Sequence, residues 1–193
     1  LAAPVLPFSP NRASADLPGT IGLTNEIFEA INEQIAEELI KTGFRNVVLM
    51  GDHGGGQAQL RSVAAKLDAK YAGQGIRVVY CDEVYGKANG DFDKEITAQG
   101  YPASAHAGIP DTSEMLYLGG DKGWVRKELV KDALGDPMPV PGAKPDRAAP
   151  RVNNGITGDG RRSSAELGKK LFDMKTAYAV TQIRRLLGAS NAH

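Results

Sequence analysis

The stretch Asn46-Val47-Val48-Leu49-Met50-Gly51-Asp52-His53-Gly54-Gly55-Gly56 decides the fold. It opens with a short apolar run that ends at Gly51 and Asp52, the pattern of a buried parallel strand emptying into a loop. Upstream, over residues 24–41, Ile27, Phe28, Ile31, Ile35 and Leu39 recur at three- and four-residue steps. With Thr24 at the N-cap position and Gly43 as the stop, this spacing predicts an amphipathic helix. Downstream, residues 57–71 predict a second helix whose inward stripe is Leu60, Val63, Ala64 and Leu67. Gly73 and Gly75 then break the chain before a second strand at residues 76–81. Strand, helix, strand is a β-α-β unit. The expected fold is therefore α/β: a three-layer sandwich with a mostly parallel sheet flanked by helices.

Beyond this unit the signals thin out. Residues 82–105 read as a loop with one short helix, anchored by Phe92, Ile96 and Tyr101, and residues 112–118 as a short helix carrying Met115, Leu116 and Leu118. Residues 135–151, rich in proline, glycine and charge, read as an exposed excursion. Gly158-Asp159-Gly160-Arg161-Arg162 reads as a turn into a long closing helix over residues 163–187, with Ser163 or Ser164 as its N-cap.

A length of 193 residues suits a single domain over 1–193. Lysine plus arginine and aspartate plus glutamate each total 23, so there is no net field to draw nucleic acid or an anionic membrane. A small neutral partner is expected instead. Cys81 is the only cysteine. It sits in an apolar run and reads as a small buried hydrophobe, and a disulfide within the chain is impossible. No stretch approaches the ~20 apolar residues of a spanning helix. The chain begins at Leu1 without methionine and runs at once into Pro4, Val5, Leu6, Pro7 and Phe8, which reads like the middle of something longer. A cytoplasmic protein is expected, or an exported form if a signal segment preceded Leu1.

Two loops carry the candidate chemistry. The first is Asp52-His53-Gly54-Gly55-Gly56, at the carboxyl end of a strand, where open α/β sheets bind ligands. Glycines in succession are tolerated where backbone turns tightly or lies close to a ligand, and imidazole is a common metal ligand. Asp52 can bind a metal or orient the ring. The same glycines can also be a plain turn with an incidental histidine. The second loop is His106-Ala107-Gly108-Ile109-Pro110-Asp111-Thr112-Ser113, which joins an imidazole, a carboxylate and two hydroxyls. Asp111 or Thr112 can serve simply as a helix cap. No serine lies in a Gly-x-Ser-x-Gly setting, which excludes the serine esterases, and no Gly-Lys-Ser/Thr ending makes the first loop a P-loop.

In their order these motifs resemble the creatininase family. Leu17-Pro18-Gly19-Thr20-Ile21 is similar to its Phe/Tyr-Pro-Gly-Thr-Ile element, and Gly43-Phe44-Arg45-Asn46-Val47-Val48-Leu49 to its Gly-Phe-Arg-x-Ile-Val-Leu strand. Asp52-His53-Gly54-Gly55 resembles Asn-Gly-His-Gly-Gly, and His106-Ala107-Gly108 with Asp111-Thr112-Ser113 resembles His-Ala-Gly-x-x-Glu-Thr-Ser. The resemblance implies a metal-dependent amidohydrolase acting on a small cyclic or linear amide, with zinc, manganese or iron. It implies His53 as a metal ligand, His106 as the proton shuttle, and Asp111 as an acidic residue of the site, catalytic or metal-bound. Asp52, Gly54, Gly55, Thr112 and Ser113 would contact substrate. It further implies a homo-oligomer, commonly a hexamer. Three departures stand out. The family's first strand and its other metal ligands would precede Leu1, Asp111 replaces a glutamate, and Ser14 stands near where a histidine often lies. A non-catalytic binding or scaffold subunit that keeps the fold is the alternative.

Overall fold

A computed structural model describes residues 1–11, 14–139 and 151–188. The expected excursion at residues 135–151 therefore lies largely outside the described residues, as does His193. The chain divides into two compact units, one formed by Leu1–Lys87 with the chain from Ala177 onward, the other by Ala88–Thr176.

The first unit holds the β-α-β core. Helix α1 spans Asn25–Lys41, with the Thr24 hydroxyl accepting the Ile27 N–H at 3.3 Å, and the chain leaves it through Gly43 at φ 106°. Strand β1 (Asn46–Met50) and strand β2 (Arg77–Cys81) pair in parallel, Val47 beside Val78 and Leu49 beside Tyr80. Helix α2 (Gln57–Lys70) makes the crossover, burying Leu60, Val63, Ala64 and Leu67 as the sequence spacing predicts.

Side chains alternate across the strands, and this alternation builds the layers. Val47, Leu49 and Val78 pack with Phe28, Ala36 and Ile40 of α1 and the α2 stripe. Val48 and Cys81 face the other way, onto Val84, Ala179 and Ile183. Ala179 and Ile183 belong to the last helix, α5 (Ala165–Leu187), so this unit is a helix, sheet, helix sandwich. Cys81 is fully buried, and burial raises its thiol pKa above the ordinary value.

Helix α1 buries only part of the stripe its spacing suggests, Phe28 in the core with Leu39 packed against it. Phe28, Ala36 and Ile40 face the core, whereas Ile27 and Ile35 are about half exposed, at 50% and 45%. The small Ala36 sits fully buried where a bulkier residue would hold the helix away from its neighbours.

Residues 82–105, which run from the first unit into the second, prove more helical than expected. A single wide turn, Glu83–Lys87, ends the first unit and is followed by α3 (Ala88–Ala98). Helix α4 runs Ile109–Gly119, starting before the predicted residue 112, because Pro110 suits a first turn and the Ser104 hydroxyl accepts the Ile109 N–H at 2.8 Å. Phe92, Ile96, Ile109, Leu167 and Leu171 close one core among α3, α4 and the first half of α5. Inside the unit a buried ion pair joins Lys175 Nζ to Glu114 at 2.5 Å. Asp159 turns the chain by accepting the Arg161 N–H, and the Ser164 hydroxyl accepts the Leu167 N–H at the start of α5. Among the described residues no helix is long and apolar enough to cross a membrane.

Candidate functional site

At the carboxyl end of β1 the chain turns through residues 51–56 into α2. Gln57, the first residue of that helix, shapes the turn. Its side-chain amide donates to the carbonyls of Gly51 (2.9 Å) and His53 (2.6 Å), and its amide oxygen accepts the Tyr80 hydroxyl. The loop is thus tied to both helix and strand.

Two of its glycines are demanded by space and backbone angle. A Cβ on Gly55 would lie 1.7 Å from the Pro10 carbonyl oxygen, and Gly56 combines φ 92° with the Phe28 ring 2.8 Å from where its Cβ would be. Packing alone accounts for glycine at these positions.

His53 and Asp52 are both exposed on this loop. The Ser9 hydroxyl lies 2.9 Å from Nδ1 of His53, with the Gly55 N–H at 3.1 Å and the Gly55 carbonyl at 3.2 Å. These neighbours accommodate either tautomer. A proton on Nδ1 is accepted by Ser9 or Gly55, leaving the Nε2 lone pair as the ligand atom; a bare Nδ1 accepts the Gly55 N–H. The ring orienter in hand is Ser9, which no sequence signal marks.

The second loop belongs to the other unit. Nδ1 of His106 lies 2.5 Å from the Gly155 carbonyl oxygen. A carbonyl only accepts, so Nδ1 carries the proton and Nε2 is the acceptor nitrogen. The next residue, Ala107, has φ 52°, a left-handed conformation that costs a non-glycine residue about 1–3 kcal/mol. Both its backbone groups are held: Asp111 Oδ2 accepts its N–H at 2.8 Å, and the Thr112 hydroxyl donates to its carbonyl at 2.9 Å. Asp111 and Thr112 thus pin the His106 loop. Ser113 is fully buried, its hydroxyl accepting the Ser164 N–H at 3.1 Å, and so it fixes the helix start behind the loop.

The structure adds Asp93, on α3, to these residues. Burial raises its carboxyl pKa, and the negative charge of Asp111 raises it further. As one acidic residue in a poorly patterned helix, it gave no signal in the sequence.

Asp52, His53, Gly54 and Gly55 lie in the first unit, and His106, Asp111, Thr112 and Ser113 in the second. Among the described residues no group of three or more histidine, cysteine, aspartate or glutamate side chains is gathered to hold a metal ion. The donors in hand do not by themselves fit one.

The chain matches the family described as creatininase, creatinine amidohydrolase, over residues 1–183. No curated protein sequence matches it significantly. Several solved structures share its fold. A glutamate-to-glutamine mutant creatininase of Zn-Zn type aligns at TM-score 0.64 and 23% identity, over 92% of this chain and 71% of that one. A glutamate-to-glutamine mutant creatininase complexed with creatine aligns at TM-score 0.64 and 20% identity, over 92% and 72%. An Mn form of creatininase aligns at TM-score 0.62 and 20% identity, over 88% and 67%. With this α/β fold and a family match across nearly its whole length, the chain belongs to the creatininase family of amidohydrolases.

Proposed function

We propose that this chain hydrolyses a C–N bond in a small cyclic or linear amide, as one creatininase-like domain over residues 1–193. The family match over residues 1–183 carries the reading. A divalent ion, zinc or manganese with iron as a third choice, belongs to it, since related structures include Zn-Zn and Mn forms. When bound, such an ion lowers the pKa of its water to about 7 and so supplies hydroxide at neutral pH. His53 would contribute one ligand through Nε2, with Asp52, Gly54 and Gly55 beside the substrate. Because the described side chains supply too few donors for a complete shell, the proton chemistry below stands on this chain's own residues.

His106 carries that chemistry. With its Nδ1 proton held by the Gly155 carbonyl, Nε2 takes a proton from the attacking water. It then passes that proton to the departing nitrogen as the C–N bond breaks. Asp111 and Thr112 hold the Ala107 backbone and with it the ring, Thr112 serving in this reading also as a substrate contact, while Ser113 supports the helix start. We also place the protein in the cytoplasm as a homo-oligomer, a hexamer by family analogy.

A second reading is a non-catalytic binding or scaffold subunit. It is favoured by the lack of a three-donor group among the described residues and by packing reasons for Gly55 and Gly56. One experiment separates the two. Creatinine and a panel of small cyclic and linear amides are offered to the protein after loading with Zn²⁺ or Mn²⁺, alongside His53→Ala and His106→Gln. The amidohydrolase predicts turnover that falls about 10²- to 10⁴-fold in His106→Gln, the usual worth of a positioned acid or base. It also predicts metal lost in His53→Ala by elemental analysis. Absence of turnover with every amide tested would count against the amidohydrolase, and equal metal content in His53→Ala would refute His53 as a ligand.

A further inference from the structure

We infer that the turn over residues 153–157 sets the tautomer of His106, and that Asn154 is the positioning residue that builds this turn. The kinetic part of the inference rests on the reading of His106 as proton carrier; the tautomer itself does not. Neutral imidazole in water favours the proton on Nε2. Here the Gly155 carbonyl, 2.5 Å from Nδ1, imposes the opposite form.

A backbone carbonyl has no rotamer, so its aim depends wholly on the chain around it. Asn154 supplies that aim twice. Its Oδ1 accepts the Ile156 N–H at 3.0 Å, closing a side-chain turn around Gly155, and its Nδ2 donates to the Leu134 carbonyl at 3.0 Å. Asp136 steadies the approach, its Oδ1 accepting the N–H groups of Val152 (2.6 Å) and Asn153 (3.3 Å). Asn153 at φ 50° and Gly155 at φ 85° make the chain reverse tightly enough to present the carbonyl.

The same segment registers the backbone of the histidine. The Thr157 N–H donates to the His106 carbonyl at 2.9 Å, and the Ala105 N–H donates to the Thr157 carbonyl at 2.9 Å. Ring and main chain of His106 therefore both bond to one stretch of chain 49 residues away. Asn154 bonds to the Ile156 N–H and the Leu134 carbonyl and so acts on the ring through Gly155.

The test is nitrogen-15 NMR of the full chain at a pH where the imidazoles are neutral, with the His106 signals assigned by their loss in His106→Gln. The wild type is expected to show the Nδ1–H pattern for His106. Asn154→Ala should shift it toward Nε2–H, and Asn154→Ser, whose hydroxyl keeps an acceptor for the Ile156 N–H without setting a carboxylate against the Leu134 carbonyl, should restore part of the wild-type pattern. In kinetic assays Asn154→Ala should lower kcat about tenfold with KM unchanged, the low end of what losing an outer-shell partner costs. An Nε2–H pattern in the wild type overturns the inference. So does Asn154→Ala with Nδ1–H intact, or Asn154→Ser behaving like the alanine variant. If Asn154→Ala fails to fold, the wild-type and Asn154→Ser spectra still decide. Absence of amide turnover in every form would remove the proposed function while leaving the tautomer result standing.

Discussion

The Ser9 hydroxyl lies 2.9 Å from Nδ1 of His53, a residue 44 positions further along the chain. Outer-shell partners of this kind hold the orientation of a metal-binding histidine's ring. Under the proposed function, Ser9→Ala should weaken Zn²⁺ uptake about 10- to 100-fold, measured by calorimetric titration. Unchanged affinity would mean that the Gly55 backbone alone positions the ring.

Gly55→Ala should destabilise the first unit. The added carbon would meet the Pro10 carbonyl oxygen at 1.7 Å, and backbone has little room to yield. Overpacking of this kind costs about 1–3 kcal/mol, which thermal or urea melts would register as a lower midpoint. A melt equal to wild type would show that the segment at Pro10 moves aside freely.

Glu114 and Lys175 form the pair whose separate loss should hurt most, their side chains being 12% and 7% exposed. Glu114→Leu removes the carboxylate facing a buried ammonium and should cost about 3–5 kcal/mol. Replacing both, as Glu114→Leu with Lys175→Met, should recover much of that loss. Denaturant melts of the two single variants and the double variant give the coupling directly.

Asp93 gives the expected pH dependence. Its folded pKa is raised, so the native state holds the proton more tightly than the unfolded chain, whose carboxyl titrates at about 3.9. The stability it contributes is full below that value and is lost as pH rises through the folded pKa. Asp93→Asn, which cannot ionise, should therefore be more stable than wild type at neutral pH, with the advantage disappearing toward pH 3. Melting curves across that range check the sign, and an advantage that grew on acidification would refute it.

The sequence revealed most where apolar spacing and burial coincide. The α2 stripe from Leu60 to Leu67 and the strand Asn46–Met50 are of that kind, because a crossover helix and a buried strand have little freedom in what they hide. Helix α1 shows the limit. Its isoleucine ladder looks inward by period, yet Ala36 and Ile40 take the core while Ile27 and Ile35 face outward. Helix α3 is the one short helix expected within residues 82–105, its extent blurred by Asn89 and Gly90, poor helix formers that the burial of Phe92 and Ile96 overrides. In the candidate site, His53, His106 and Asp111 stand out by residue type and setting. Their partners do not. Ser9 and Gly155 act from 44 and 49 residues away, one through a lone hydroxyl and the other through a main-chain oxygen that any residue possesses.

Gln57 leaves this loop with a chemical weakness. One amide nitrogen bridges the carbonyls of Gly51 and His53, so hydrolytic deamidation would exchange a donor for a carboxylate oxygen facing two acceptors. Almost no volume would change, yet attraction would become repulsion beneath the histidine. Deamidation at this one side chain would then show as a disordered His53 loop while the helices around it still stood.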